Sequence, residues 1–467
     1  MQQKFFKIGS LALLQIVIVG NLQVLPANAS YGSALPFLYL ITVIGFFLPC
    51  TLMVAELATT RPQTGGAYIW CEQAFGAKMS FFTVCILWIS NLLWYPSIFS
   101  LIAANFAYLF DISLAQNKMF IVFFGIILFW FFTGLNCLGI KFSSRTSIVC
   151  SVLGIIIPMV LIILGGIIWW ATGKPLAISF NKASILPNVF QINNIGLLIA
   201  VVISLFGIEL TAVHAGNVVN PKRDYPRSLL LSSILLLILL LLAELSIAAI
   251  IPYARLSVLT GLLDALITFF KEMHLSFLIT AVLLLVLIGN IGSVTAWMFG
   301  STRCMYVACQ KNHVAKFLQR VNQYEAPVGV LIFEAIIFTI VSMVFLLFPR
   351  ITDSFWLLLN LASQVTLIYY IILFASAIRL RYLPVFADGF IIPGGNLVLW
   401  IIMSVGATTS FLALCSGFIA PESLDKNNIF LFRFTMIAGL LITISLPFIL
   451  LRCKTKLVDY AAQKTRV

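Results

Sequence analysis

The sequence predicts an all-α integral membrane protein, a single bundle of about twelve transmembrane helices. Three observations carry that expectation. Of the 467 residues, 62% are hydrophobic and only 9% are charged, far below the roughly 25% charged expected of a soluble domain. Apolar runs of about twenty residues, long enough to cross a hydrocarbon core, recur along the chain. The basic residues sit in the short gaps between those runs, so the net charge of +13 reports orientation in a lipid bilayer and not a nucleic-acid surface. No soluble domain is left over, and residues 1–467 read as one transmembrane domain.

The spans fall at about 8–32, 35–58, 79–110, 119–139 and 147–171 (helices 1 to 5), and at about 192–217, 228–251, 274–299, 326–348 and 354–376 (helices 6 to 10). Helices 11 and 12 follow at about 391–418 and 429–451. Helix 1 imitates a cleaved leader, with Lys4 and Lys7 before its apolar run and Ala27-Asn28-Ala29 near its end. Its polar interruption at Asn21, Gln23 and Pro26 comes late, which suits a helix broken near mid-membrane better than a signal peptide.

Helix 6 carries Gly207 and Glu209 inside an otherwise apolar stretch, interrupted at Phe206 to Glu209. A carboxylate near the bilayer centre costs roughly 2.5–3.5 kcal/mol on insertion scales, so it points to a polar cavity or pathway. Glycine unwinds cheaply, and unwound backbone at membrane depth survives only where it is buried in protein or lines water. The blander alternatives are a Glu hydrogen-bonded between packed helices, a glycine allowing close packing, and a Pro26 that only kinks its helix.

Helices 1 and 6 open two successive five-helix sets. Interruptions at corresponding positions of two halves point to a secondary transporter with inverted repeats, here about 8–171 and 192–376, with 391–451 outside them. With the N-terminus inside, the loops place about 20 of the 28 Lys and Arg residues on the cytoplasmic side, Arg61, Lys78, Lys141, Arg303, Lys311 and Arg381 among them. That is the positive-inside signature of a multi-pass inner (plasma) membrane protein with both termini cytoplasmic. The basic tail from Arg452 fits the same orientation or a contact with anionic lipid.

Glu56, Glu244 and Glu334 also lie in or near apolar spans, where pairing with a polar neighbour is favoured over a proton relay. Trp88, Trp94, Tyr95, Trp297, Tyr369 and Tyr370 are candidates for aromatic cavity walls, and Trp169 and Trp170 for interfacial anchors. The nine cysteines show no metal-ligand spacing, and His214, His274 and His313 are dispersed, so no metal or cofactor is expected. The scattered acids also speak against a membrane-embedded enzyme. Broken helices around a midplane site favour alternating access over a continuous pore.

Glu56-Leu57-Ala58 followed by Arg61-Pro62-Gln63-Thr64-Gly65-Gly66-Ala67-Tyr68-Ile69-Trp70 resembles the loop after helix 2 in the amino acid-polyamine-organocation superfamily. Gly207-Ile208-Glu209 with Asn220-Pro221-Lys222-Arg223-Asp224-Tyr225-Pro226 is similar to its glutamate:GABA antiporter branch, as are the run Arg303 to Asn312 and Ile392-Pro393-Gly394-Gly395. The resemblance implies a LeuT-like fold with 5+5 inverted repeats and a central site between broken helices 1 and 6. It implies exchange of an external amino acid for an internal amino acid or its decarboxylation product, with a proton-coupled uptake permease as the alternative. By the same resemblance the substrate meets Asn21, Gln23, Pro26, Ala27 and Asn28 of helix 1, and Phe206, Gly207 and Glu209 of helix 6. Trp297 approaches from helix 8, and Tyr369 and Tyr370 from helix 10. Two departures stand out. The stretch Gly289 to Trp297 has no acid before the Trp, where branch members can carry one, and the short C-terminal tail leaves no room for a folded plug. The sequence sets no oligomeric state.

Overall fold

The computed structural model describes residues 7–464 apart from 64, 188–199, 253–255, 257–259, 312–315, 348–349, 386–387 and 420–428. Lys4, His313, Arg466 and the expected start of helix 6 at 192–199 lie outside the described residues. The chain is an all-helical membrane protein of LeuT-like architecture, with no β-strand among the described residues. Among the described residues ten helices are long and apolar enough to span a membrane, and two shorter ones, Ile8–Val19 and Ala200–Val213, belong to helices 1 and 6. Outward-facing Ile127, Leu242, Phe411 and Leu441 are each more than 40% exposed, as lipid-facing side chains should be where the solvent is apolar.

Both expected breaks exist, each displaced by a few residues. Helix 1 runs Ile8–Val19 and resumes as Val24–Ala29, so its interruption is Gly20 to Gln23 and not Asn21 to Pro26. Pro26 lies in the first turn of the second half, where the backbone N–H groups have no helical partner and proline costs no bond. Helix 6 turns at Leu205 to Gly207 and continues as the 3-10 helix Ile208–Asn217, which puts Glu209 just past the break. Gly207 has φ +107°, a conformation that a Cβ opposes.

Helices 2 and 5 each contain a π-turn, Val43–Phe47 and Val152–Ile156, directly before a proline, Pro49 or Pro158. The wider turn accommodates the missing proline N–H without breaking the span. Helix 5 then lies against helix 8 (Ile279–Lys311) backbone to backbone: a Cβ on Gly154 would fall 2.0 Å from the Gly289 nitrogen. Gly289 and Gly292, in the stretch that departs from the branch pattern, serve this crossing, Gly292 facing Cys150.

Several helices run past their apolar windows. Helix 7 is Pro221–Ile250, helix 8 reaches Lys311, and helix 10 is Ile351–Leu380. Hydropathy sees only the buried length, whereas Pro221 at the first helical position starts helix 7 among the polar residues before it. Helices unmarked by the transmembrane pattern also appear, among them Ala67–Phe75 and the amphipathic Gly261–Glu272.

The basic loops gather at one end. Arg381 Nη1 donates to Glu56 Oε1 at 2.7 Å while the Ile392 N–H donates to Glu56 Oε2 at 2.8 Å. Arg61 Nη2 donates to the carbonyls of Leu380 and Pro384, both at 3.1 Å, and Lys311 pairs with Glu72. Glu56 therefore joins the ends of helices 2 and 10 to the segment before helix 11 (Gly395–Ser416). At the opposite end Lys174 pairs with Glu272 at 2.5 Å and holds that carboxyl below its usual range.

Candidate substrate site

The two breaks meet at one cavity in the middle of the bundle. Helix 1 contributes Ile18, Val19, Asn21, Gln23 and Val24, and helix 6 contributes Ile203, Ser204 and Phe206. The facing walls are Ser90, Asn91 and Trp94 of helix 3 (Ala77–Ala107), Trp297 of helix 8, and Leu359, Ala362, Ser363 and Thr366 of helix 10.

Each break is held by hydrogen bonds that replace those the helix gave up. In helix 1 the Asn21 side chain accepts from the Gln23 N–H at 3.1 Å, an Asx turn. The Trp297 indole donates to the Ile18 carbonyl at 2.7 Å, satisfying a helix-end oxygen from helix 8. In helix 6 the Gly207 N–H donates to the Tyr370 hydroxyl at 2.8 Å, and that hydroxyl donates to Glu209 Oε2 at 2.6 Å. A Cβ on Gly207 would come within 2.6 Å of the Trp297 ring and 3.0 Å of Ile18. Trp297 thus touches both breaks. Phe206 and Tyr370 close the cluster with Phe46 of helix 2, their ring centroids 5.0–5.5 Å apart.

Of the residues expected at the site, Asn21, Gln23, Phe206 and Trp297 line the cavity. Gly207, Glu209 and Tyr370 form the hydrogen-bonded cluster behind it. Pro26 lines a smaller neighbouring cavity that shares Gln23 and is bounded by Leu101, Asn105 and Leu262. Asn28 faces helix 7, where its Nδ2 donates to Glu244 Oε1 at 2.9 Å beside the Tyr39 hydroxyl at 3.0 Å. Ala27 accepts from the Ser30 hydroxyl through its carbonyl, and Tyr369 is fully buried against Tyr370. Neither lines the cavity.

Trp94 lines the cavity and packs on Trp297 at 5.4 Å, whereas Trp88 stacks on Phe333 and Tyr95 packs tilted against Phe129. Glu334 accepts from Thr302 at 2.8 Å. Trp169 is buried, its indole donating to the Pro175 carbonyl, while Trp170 is exposed. Sequence reasoning missed Ser90, Asn91, Ser204, Ser363 and Thr366. Spacing offered a signal: residues 90, 91 and 94, and 359, 362, 363 and 366, fall three or four apart on single helix faces.

Two discontinuous helices closing on one mid-bundle cavity define a membrane carrier. The chain belongs to the amino acid permease family, whose pattern it matches over residues 4–442. It is 37% identical to an uncharacterized transporter of Legionella pneumophila over 96% of both chains. It is 27% identical to the glutamate/gamma-aminobutyrate antiporter of Lactococcus lactis, covering 96% of this chain and 90% of that protein. A probable agmatine/putrescine antiporter of the same organism is 23% identical over 91% of this chain and 90% of its own length.

Proposed function

We propose that this protein is an amino acid antiporter of the plasma membrane, exchanging an external amino acid for an internal amino acid or its decarboxylation product by alternating access. The observation that carries the reading is the meeting of two helix breaks at one cavity. Broken ends bring backbone polar groups to membrane depth, where they can replace the water around an ammonium and a carboxylate. The antiporter names of two relatives support exchange over uptake.

In this reading Asn21, Gln23, Phe206 and Trp297 contact substrate, and Gly207, Glu209 and Tyr370 hold the helix 6 break in place. The halves 8–171 and 192–376 are the inverted repeats, and the excess of basic residues puts both termini in the cytoplasm. Uptake of radiolabelled amino acids into proteoliposomes, empty or preloaded with the same compound, tests it. Exchange requires preloading. Uptake into empty vesicles that follows an imposed proton gradient would establish a proton-coupled permease instead.

A further inference from the structure

Resting on that exchange reading, we propose that the transported amino acid has an uncharged, hydrogen-bonding side chain, a carboxamide or a hydroxyl, and that Asn91 of helix 3 recognises it. The cavity wall facing the breaks sets polar side chains among apolar ones and carries no charge among the described residues. Ser90, Ser363 and Thr366 donate to the Leu87, Leu359 and Ala362 carbonyls at 2.6, 2.7 and 2.8 Å. Each hydroxyl proton is used within its own helix, so what these oxygens offer the cavity is acceptor capacity.

Two amides complete the pattern. Asn91 is 3% exposed and its Nδ2 has no hydrogen-bond partner among the described residues. Gln23, on the opposing break and likewise 3% exposed, has an Oε1 with none. Both line the cavity. The two walls therefore present an unmatched buried donor and an unmatched buried acceptor, which a carboxamide satisfies with its carbonyl toward Asn91 and its NH₂ toward Gln23 and the hydroxyls. A hydroxyl satisfies a subset of the same partners.

Charge selects against the alternatives. Among the described residues no Lys, Arg, His, Asp or Glu lines the cavity. Glu209 bonds to Tyr370 behind it. A glutamate side chain would find no lining cation to balance it, and an arginine or agmatine head group would find acceptors but no lining counter-charge. Burying a charge without a partner costs more than burying a satisfied amide. A leucine-like side chain leaves Asn91 and Gln23 unmatched, and sites built to hydrogen-bond a ligand discriminate strongly against such analogues.

Equilibrium binding of radiolabelled glutamine, serine, leucine, glutamate and arginine to the full-length protein in detergent tests the proposal, alongside counterflow of the same five in proteoliposomes. Glutamine or serine should bind at least about ten-fold tighter than glutamate and arginine. Asn91→Leu should weaken glutamine at least about ten-fold while leaving leucine within about three-fold, a change of ranking that a purely structural role would not produce. If Asn91→Leu does not fold, the wild-type ranking decides the substrate class alone. Tightest binding of glutamate, arginine or leucine overturns the proposal and leaves antiport standing. Neutral polar binding without counterflow overturns antiport and leaves the substrate class. An equal loss for all five ligands in Asn91→Leu removes Asn91 from recognition, and no binding of any of the five overturns both readings.

Discussion

The breaks in helices 1 and 6 face the same cavity but differ in what holds them. Helix 1 turns on its own sequence, since Asn21 caps the Gln23 N–H two residues on. Helix 6 turns on its neighbours: Tyr370 of helix 10 takes the Gly207 N–H, and Trp297 of helix 8 leaves no room for a side chain there. The first break is mainly local, with one bond from Trp297 to the Ile18 carbonyl beside it, and the second is tertiary. A local turn persists when surrounding helices shift, whereas a tertiary turn changes whenever helix 8 or 10 moves. The helix 6 break is therefore the one positioned to sense the rearrangement that alternating access requires, and Glu209 stands next to it.

The largest effect should come from filling the tertiary break. Gly207→Leu adds a Cβ 2.6 Å from the Trp297 ring at φ +107°, so it should abolish substrate binding while membrane insertion, read by protease protection and size-exclusion profile, persists. Retained binding would break the contrast between the two turns. Tyr370→Phe comes next. It leaves the buried Gly207 N–H without its acceptor and removes a donor from Glu209. At about 1–3 kcal/mol per unmatched buried group, exchange should slow roughly ten- to a hundred-fold. Glu209→Gln keeps the side-chain shape and deletes its titration, so it should alter exchange or its pH profile without preventing insertion; wild-type kinetics across pH would exclude Glu209 from the working site.

How each break was legible follows from the same contrast. Asn21 and Gln23 are visible as polar residues in an apolar run because the turn they make is encoded locally. The exact edges were not visible, since Pro26 reads as a breaker although the first turn of a helix accepts it. In helix 6 the glycine and the acid stood out, but the Tyr370 hydroxyl between them comes from 161 residues away. Asn28 and Glu244, 216 residues apart, were likewise legible singly but not as a pair. Serines inside membrane helices commonly bond back to their own turn, as Ser363 does to Leu359, so composition alone did not mark them as cavity wall. Helix extension past the hydrocarbon, as in helix 8 to Lys311, leaves no trace in hydropathy.

Trp297→Phe sharpens the comparison because this one residue serves both turns. The ring that excludes a side chain from Gly207 is largely retained, while the 2.7 Å bond to the Ile18 carbonyl is lost. A hydrogen bond of that kind contributes about 0.5–1.5 kcal/mol net, so exchange should fall roughly three- to ten-fold. The expected loss is smaller than for Tyr370→Phe, and thermal unfolding should shift by only a few degrees. A loss as large as that of Gly207→Leu would mean that the helix 1 break depends on its neighbours as strongly as the helix 6 break does.

The smallest effect should belong to the local turn. Asn21→Ala removes the oxygen that accepts from Gln23, and side-chain caps of this type are worth about 0.5–2 kcal/mol. Backbone groups beside the cavity have alternative partners, because the Asn21 N–H already donates to the Val19 carbonyl and the Val24 N–H to the Asn21 carbonyl. The expected outcome is a change of a few-fold in apparent affinity with turnover nearly unchanged, and Asn21→Asp, which keeps the acceptor, should restore the turn itself. Initial-rate counterflow across substrate concentration separates the two quantities. If turnover collapses in Asn21→Ala and Asn21→Asp alike, the Asn21 amide acts on the moving substrate and not only on its own backbone, and the two breaks are more alike in function than in construction.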